Sequence, residues 1–169
     1  MTSLSKNIRA FTIVELVIVM VLLAILMMVS IGGITGAQKH AQVNDAVDST
    51  MGMIQNARSQ ALANMEIDLG TETCTAEEFY IILSSTEINL YADFTADCTS
   101  ATEQLLDTAT FTENVELGTD ITQITYTPPL GEIEITTSGD TSITISTVDG
   151  LFGKTITINE VAGIPELGS

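Results

Sequence analysis

Residues Phe11 to Ile31 form an apolar run whose one charged side chain is Glu15, and this run restricts the chain more than any other feature. At 1.5 Å rise per residue, roughly 21 helical residues extend about 32 Å, which matches the hydrocarbon thickness of a bilayer. A spanning helix is expected. A cleaved secretory signal would have a shorter apolar core, about 7 to 15 residues, with its cut beyond the core. Ser30-Ile31-Gly32-Gly33 supplies small residues there, but it closes too long a run. Lys6 and Arg9 precede the run and hold the N-terminal tail in the cytoplasm, so the C-terminal region is expected to face outward.

Glu15 is the anomaly. A carboxylate at mid-bilayer costs roughly 2.5 to 3.5 kcal/mol on insertion scales, so a residue of this kind calls for a partner unless it lies at the interface. Its setting is Lys6-Asn7-Ile8-Arg9-Ala10-Phe11-Thr12-Ile13-Val14-Glu15-Leu16-Val17-Ile18-Val19. This stretch resembles the type IV prepilin family, in which a short basic leader is followed by a cleavage site, Phe, Thr, two apolar residues, Glu, Leu and a long apolar helix. The resemblance implies that a membrane-embedded prepilin peptidase cuts between Ala10 and Phe11 and methylates the new amino group of Phe11. It also implies that Glu15 pairs with the Phe11 ammonium of an adjacent subunit during assembly. The family usually has Gly before the cut; Ala10 is the smallest substitute, and cleavage is expected to survive it.

The implied precursor is a single-pass inner-membrane protein with a cytoplasmic N-terminus, extracted by an inner-membrane assembly platform into a pilus or pseudopilus at the cell surface. Its partners would be the peptidase, the platform and other pilin or pseudopilin subunits packed through the N-terminal helix.

Beyond the span, Val43, Val47, Met51, Ile54, Ala57, Ala61 and Met65 recur at three- and four-residue steps, the stripe of an amphipathic helix. Gly32, Gly33 and Gly36 lie between the halves, each about 1 kcal/mol less favourable in a helix than Ala. They mark a helix break that can melt on assembly, or they permit close helix approach in lipid.

From residue 70 the pattern turns to short β-rich runs: Phe79 to Leu83, Ile88 to Tyr91, Val115 to Leu117, Ile121 to Thr127, Glu132 to Thr136, Ser142 to Thr147 and Lys154 to Asn159. Ile133, Ile135, Ile143, Ile145, Ile156 and Ile158 alternate with polar residues, as in one half-buried antiparallel sheet. The expected fold is therefore α+β, a pilin fold with a long N-terminal helix packed on an antiparallel sheet. Its segments are a cleaved leader 1–10, an apolar helix 11–36, an amphipathic continuation 37–66 and a β-rich extracytoplasmic domain 67–169. Ala57-Arg-Ser-Gln-Ala-Leu-Ala63, Ile124-Thr-Tyr-Thr-Pro-Pro129 and Lys154-Thr-Ile-Thr-Ile-Asn159 are similar to the minor pseudopilin H/FimT group.

The formal charge is −17, with 5 basic against 22 acidic side chains. Loss of residues 1–10 removes Lys6 and Arg9 and no acid, leaving 3 basic side chains. Such a surface repels phosphate backbones, so nucleic-acid binding is not expected, and Lys154 with Arg58 gives little for a DNA-uptake role. Cys74 and Cys98 share one compartment, and an intramolecular disulfide is the simple expectation, with two reduced thiols as the alternative. Closing a loop of about 25 residues would stabilise by roughly 3 kcal/mol.

No cofactor is expected. Asp93, Asp97, Glu103 and Asp107 could offer oxygen ligands to Ca2+, although their spacing fits no EF-hand. With no Trp, one His, no Gly-rich phosphate loop and no Cys/His metal spacing, catalytic machinery is not expected. A filament subunit is the favoured reading; the alternative is a signal-anchored β-domain protein acting as an adhesin or enzyme.

Overall fold

The computed structural model describes residues 12–70, 72–95, 98 and 102–168, and within them the side chains of all but 29–34. The chain divides into two compact units, one ending at Gln38 and the other beginning at Lys39. Helix α1 (Ile13–Ala63) contributes to both.

In the first unit α1 runs without interruption through Gly32, Gly33 and Gly36. Its large apolar side chains from Ile13 to Met28 are between 47% and 84% exposed. The side chains described within the apolar run end at Met28, short of the roughly 20 residues of a span, and among the described residues no helix is long and apolar enough to cross a membrane.

In the second unit α1 presents Val43, Ala46, Val47, Thr50, Met53, Ile54, Ala57 and Ala61 as a buried stripe at helical spacing. Met65, expected on this stripe, instead lies beyond the helix and is 44% exposed. The helix stops at Ala63 because Asn64 takes a left-handed conformation, φ 48°. The Asn64 N–H donates to the Ala61 carbonyl (3.1 Å) and the Met65 N–H to that of Gln60 (3.3 Å), a Schellman closure that satisfies two terminal carbonyls.

The strands follow as β1 (Glu66–Asp68), β2 (Thr73–Leu83), β3 (Glu87–Phe94), β4 (Glu103–Thr110), β5 (Val115–Thr119), β6 (Ile121–Thr127), β7 (Glu132–Thr137), β8 (Ser142–Thr147), β9 (Gly153–Ile158) and β10 (Pro165–Leu167). They make two antiparallel sheets, where alternation in the sequence suggested one. The first has the order β4-β3-β2-β6-β7 with β1 beside β2; the second has the order β10-β9-β8-β5. Ile133 and Ile135 are half-buried in the first sheet, whereas Ile143, Ile145, Ile156 and Ile158 are buried in the second.

The chain changes sheets at Asp120, the single residue between β5 and β6. There the Thr119 hydroxyl donates to the Ser142 carbonyl (3.0 Å) and accepts from the Ile121 N–H (3.1 Å), and the Asp120 carbonyl accepts from the Ser138 N–H (3.1 Å). Gly139 packs close at this corner, where a Cβ would meet the Asp120 carboxylate at 2.4 Å and turn that side chain aside. Buried side chains of the helix stripe and of both sheets merge into one apolar core, with Tyr126, Phe79 and Ile54 among its largest members. Burial against this common core, more than strand propensity, holds the sheets in register.

Candidate processing and assembly segment

Ala10 and Phe11 lie outside the described residues, so the structure enters the segment at Thr12. Thr12 is the N-cap of α1. Its Oγ1 accepts from the Glu15 N–H (3.3 Å), and its carbonyl accepts from the N–H groups of Glu15 (3.1 Å) and Leu16 (3.2 Å). Thr12-Ile13-Val14-Glu15 therefore has the Ser/Thr-x-x-Glu spacing of a capping box, a helix-start signal carried by the sequence itself. Glu15 falls in the first helical turn, where the unsatisfied N–H groups and the positive end of the helix dipole favour a carboxylate. It is exposed, as are its apolar neighbours. Leu16, Val19, Met20 and Leu23 line one continuous apolar strip beside it, so a negative charge sits at the head of an uncovered apolar helix face.

Gly36 faces open space: a Cβ there would meet nothing within 4 Å. In the isolated chain the glycine tract is thus helical, and Gly36 is unencumbered.

Cys74 and Cys98 are joined by a disulfide, with Cα atoms 6.0 Å apart, tying the start of β2 to the connection after β3. Glu72 lies close to both sulfurs, and these three are the group of potential metal ligands brought together among the described residues. Sulfurs committed to a disulfide offer no thiolate to a metal. The carboxylates considered for Ca2+ are distributed otherwise. Asp93 and Glu103 are cross-strand neighbours on β3 and β4, Asp107 faces Leu90 one bulge further on, and Asp97 is outside the described residues. Glu103 accepts from the Tyr80 hydroxyl at 2.5 Å, Asp93 accepts from the Phe94 N–H, and Asp107 from the Thr108 N–H. Burial, with Glu103 beside it, raises the Tyr80 pKa.

At the start of the second unit the turn between β8 and β9 closes on the helix. Lys39 pairs with Asp149, and the His40 ring lies 3.7 Å from that of Phe152. The Lys39 ammonium first, then the Thr147 hydroxyl and the Leu151 N–H, hold the Asp149 carboxyl down at about 2. The single histidine thus makes a ring contact in a structural latch.

Residues 5–31 match the family described as the prokaryotic N-terminal methylation motif. No curated protein and no solved structure matches the chain. The matched segment contains the basic residues Lys6 and Arg9, the Ala10-Phe11 junction, Glu15 and the apolar run, and it implies a prepilin-type, membrane-anchored precursor. This motif, together with a fold in which a long N-terminal helix precedes an antiparallel β domain, supports a relationship to the type IV pilins and pseudopilins.

Proposed function

We propose that the protein is a structural subunit of a type IV pilus or a type II secretion pseudopilus, polymerised through α1 after removal of residues 1–10, and that it is not an enzyme. The observation that carries the reading is the head of α1. Thr12 caps the helix, Glu15 occupies its first turn, and every large apolar side chain from Ile13 to Met28 is uncovered.

Burying that face among like helices replaces lipid contacts with side-chain packing. The Phe11 ammonium of a neighbouring subunit supplies the opposite charge that Glu15 needs in an apolar surrounding. Before assembly the precursor sits in the inner membrane with Lys6 and Arg9 on the cytoplasmic side and the β domain outside. The acidic domain surface keeps the exposed part of the filament solvated, and the disulfide is consistent with an oxidising compartment. Within the family, the three short sequences at 57–63, 124–129 and 154–159 favour the minor pseudopilin H/FimT-like group.

Two measurements test this. N-terminal sequencing and intact mass of protein from membrane and surface fractions should give a chain that starts at N-methylated Phe11; an intact Met1 or a cut near Gly33 would refute prepilin processing. Glu15→Ala should insert into the membrane as the parent does, yet be lost from sheared filaments by at least about tenfold, the cost of leaving one buried charge unpaired. Normal incorporation of that variant would overturn the pairing.

A further inference from the structure

Away from the N-terminal segment, the loop that joins β9 to β10 is built more firmly than a connection needs to be. The Asn159 side-chain oxygen accepts from the N–H groups of both Val161 and Ala162 at 3.0 Å. The Gly163 N–H donates to the Asn159 carbonyl (2.7 Å), and the Asn159 N–H to that of Ile164 (3.2 Å). From the core, the Tyr126 hydroxyl donates to the Gly163 carbonyl at 2.9 Å. Gly163 itself has φ 63°, and a Cβ there would come within 2.9 Å of the Tyr126 ring. A loop fixed at this many points does not collapse onto the surface, and it holds Val161 94% exposed and Ile164 40% exposed.

Facing this loop across an open groove of about 270 Å³ is the end of α1, which supplies Gln55, Arg58 and Leu62. Ile164 and Pro165 form the opposite wall. The volume is at the low end for small-molecule sites, so it suits one or two side chains of a peptide better than a cofactor.

The charge in the groove is the informative part. Among the described residues the one ion pair is Lys39 with Asp149. Arg58 is half-buried in a chain with 22 acidic side chains, and among the described residues it forms an ion pair with none of them. A guanidinium is a rigid, always-charged fork suited to a carboxylate, and its partial burial leaves it incompletely hydrated. Another copy of this chain brings 22 acidic side chains, and with residues 1–10 removed each copy has only Lys39, Arg58 and Lys154 to receive them. Lys39 is already engaged.

We propose that the groove between α1 and the 159–165 loop docks a carboxylate-bearing apolar segment of a second copy of this chain, with Arg58 receiving the carboxylate and Leu62, Val161 and Ile164 covering the apolar part. The proposal rests on the filament reading for the occasion on which copies meet, and it predicts lateral contacts between β domains in addition to helix packing.

Photo-crosslinking in intact cells tests it, with p-benzoylphenylalanine placed at the exposed position 55 of the full-length chain. Irradiation should give a covalent dimer of this chain, and mass spectrometry should place the crosslink in a peptide that contains Asp or Glu beside apolar residues. Arg58→Gln should lower the dimer yield about tenfold while the monomer's melting temperature and disulfide are kept, whereas Arg58→Lys, which preserves the charge, should restore most of the yield. No dimer, a crosslink to a different protein, or a yield indifferent to Arg58→Gln would overturn the groove assignment. Sheared filaments from the same cells separate the two readings. A charge-dependent dimer without filament incorporation would sink the filament and keep the groove; filaments with a charge-indifferent crosslink would do the reverse.

Discussion

Tyr126 is the residue at which the sheets, the helix and the C-terminal loop are joined. Its ring is fully buried in the core, and its hydroxyl reaches the Gly163 carbonyl, as a buried tyrosine hydroxyl must reach some acceptor. Burial pushes its pKa up to about 12, and the Arg58 charge offsets only part of that. An unfolded tyrosine ionises near pH 10, so between about pH 10 and 12 the unfolded chain binds fewer protons than the folded one and stability falls as pH rises. Tyr126→Phe should cost about 1 kcal/mol at neutral pH through the lost hydrogen bond. It should also lose less further stability across that alkaline window than the parent. Thermal unfolding followed from pH 7 to 12 reads both effects, and parallel alkaline losses in the two proteins would count against this origin. Asp149 has the opposite sign. Its lowered pKa gives stability that is present above the ordinary carboxylate range and lost as pH falls toward about 2, and its solvent exposure keeps that contribution small.

At the scale of elements, the two ends of α1 are set by local chemistry. Thr12 caps the start, and Asn64 closes the end in a left-handed conformation that a β-carbon disfavours. Asn64→Ala should therefore destabilise the protein by about 1 kcal/mol, and Asn64→Gly should be neutral or slightly stabilising. Urea unfolding of the three proteins checks the order; Ala at or above Gly would show that the closure contributes nothing. The strands divide by how they are buried. β2, β3, β8 and β9 largely alternate buried and open positions, β6 buries Ile124, Thr125 and Tyr126 in succession, and each overlaps a run marked in the sequence. β4 was missed because it is an edge strand of Glu-Gln-Leu-Leu-Asp-Thr-Ala-Thr with no fully buried position, so its pairing with β3 supplies what its own pattern lacks. β1 and β10 are three-residue edge strands, too short to show a period.

Taken whole, the second unit is one core with a covalent tie. The disulfide spans a sequence separation of 24, and on the chain-entropy account its removal should cost about 3 kcal/mol. Intact mass with and without reductant should differ by two hydrogens, and Cys74→Ser/Cys98→Ser should unfold at lower denaturant with the same sheet content; no mass change would exclude the bond.

The apolar run with its lone Glu15, the basic leader, the amphipathic stripe from Val43 to Ala61 and the periodicity of the central strands are all legible along the chain. These are local patterns, set by the spacing of apolar and charged residues along the chain. Tertiary structure alone decided that the strands form two sheets, that the chain crosses between them at Asp120, and that Arg58 faces a loop more than a hundred positions away. Those outcomes depend on contacts between segments distant in sequence, where burial against a shared core outweighs any local preference.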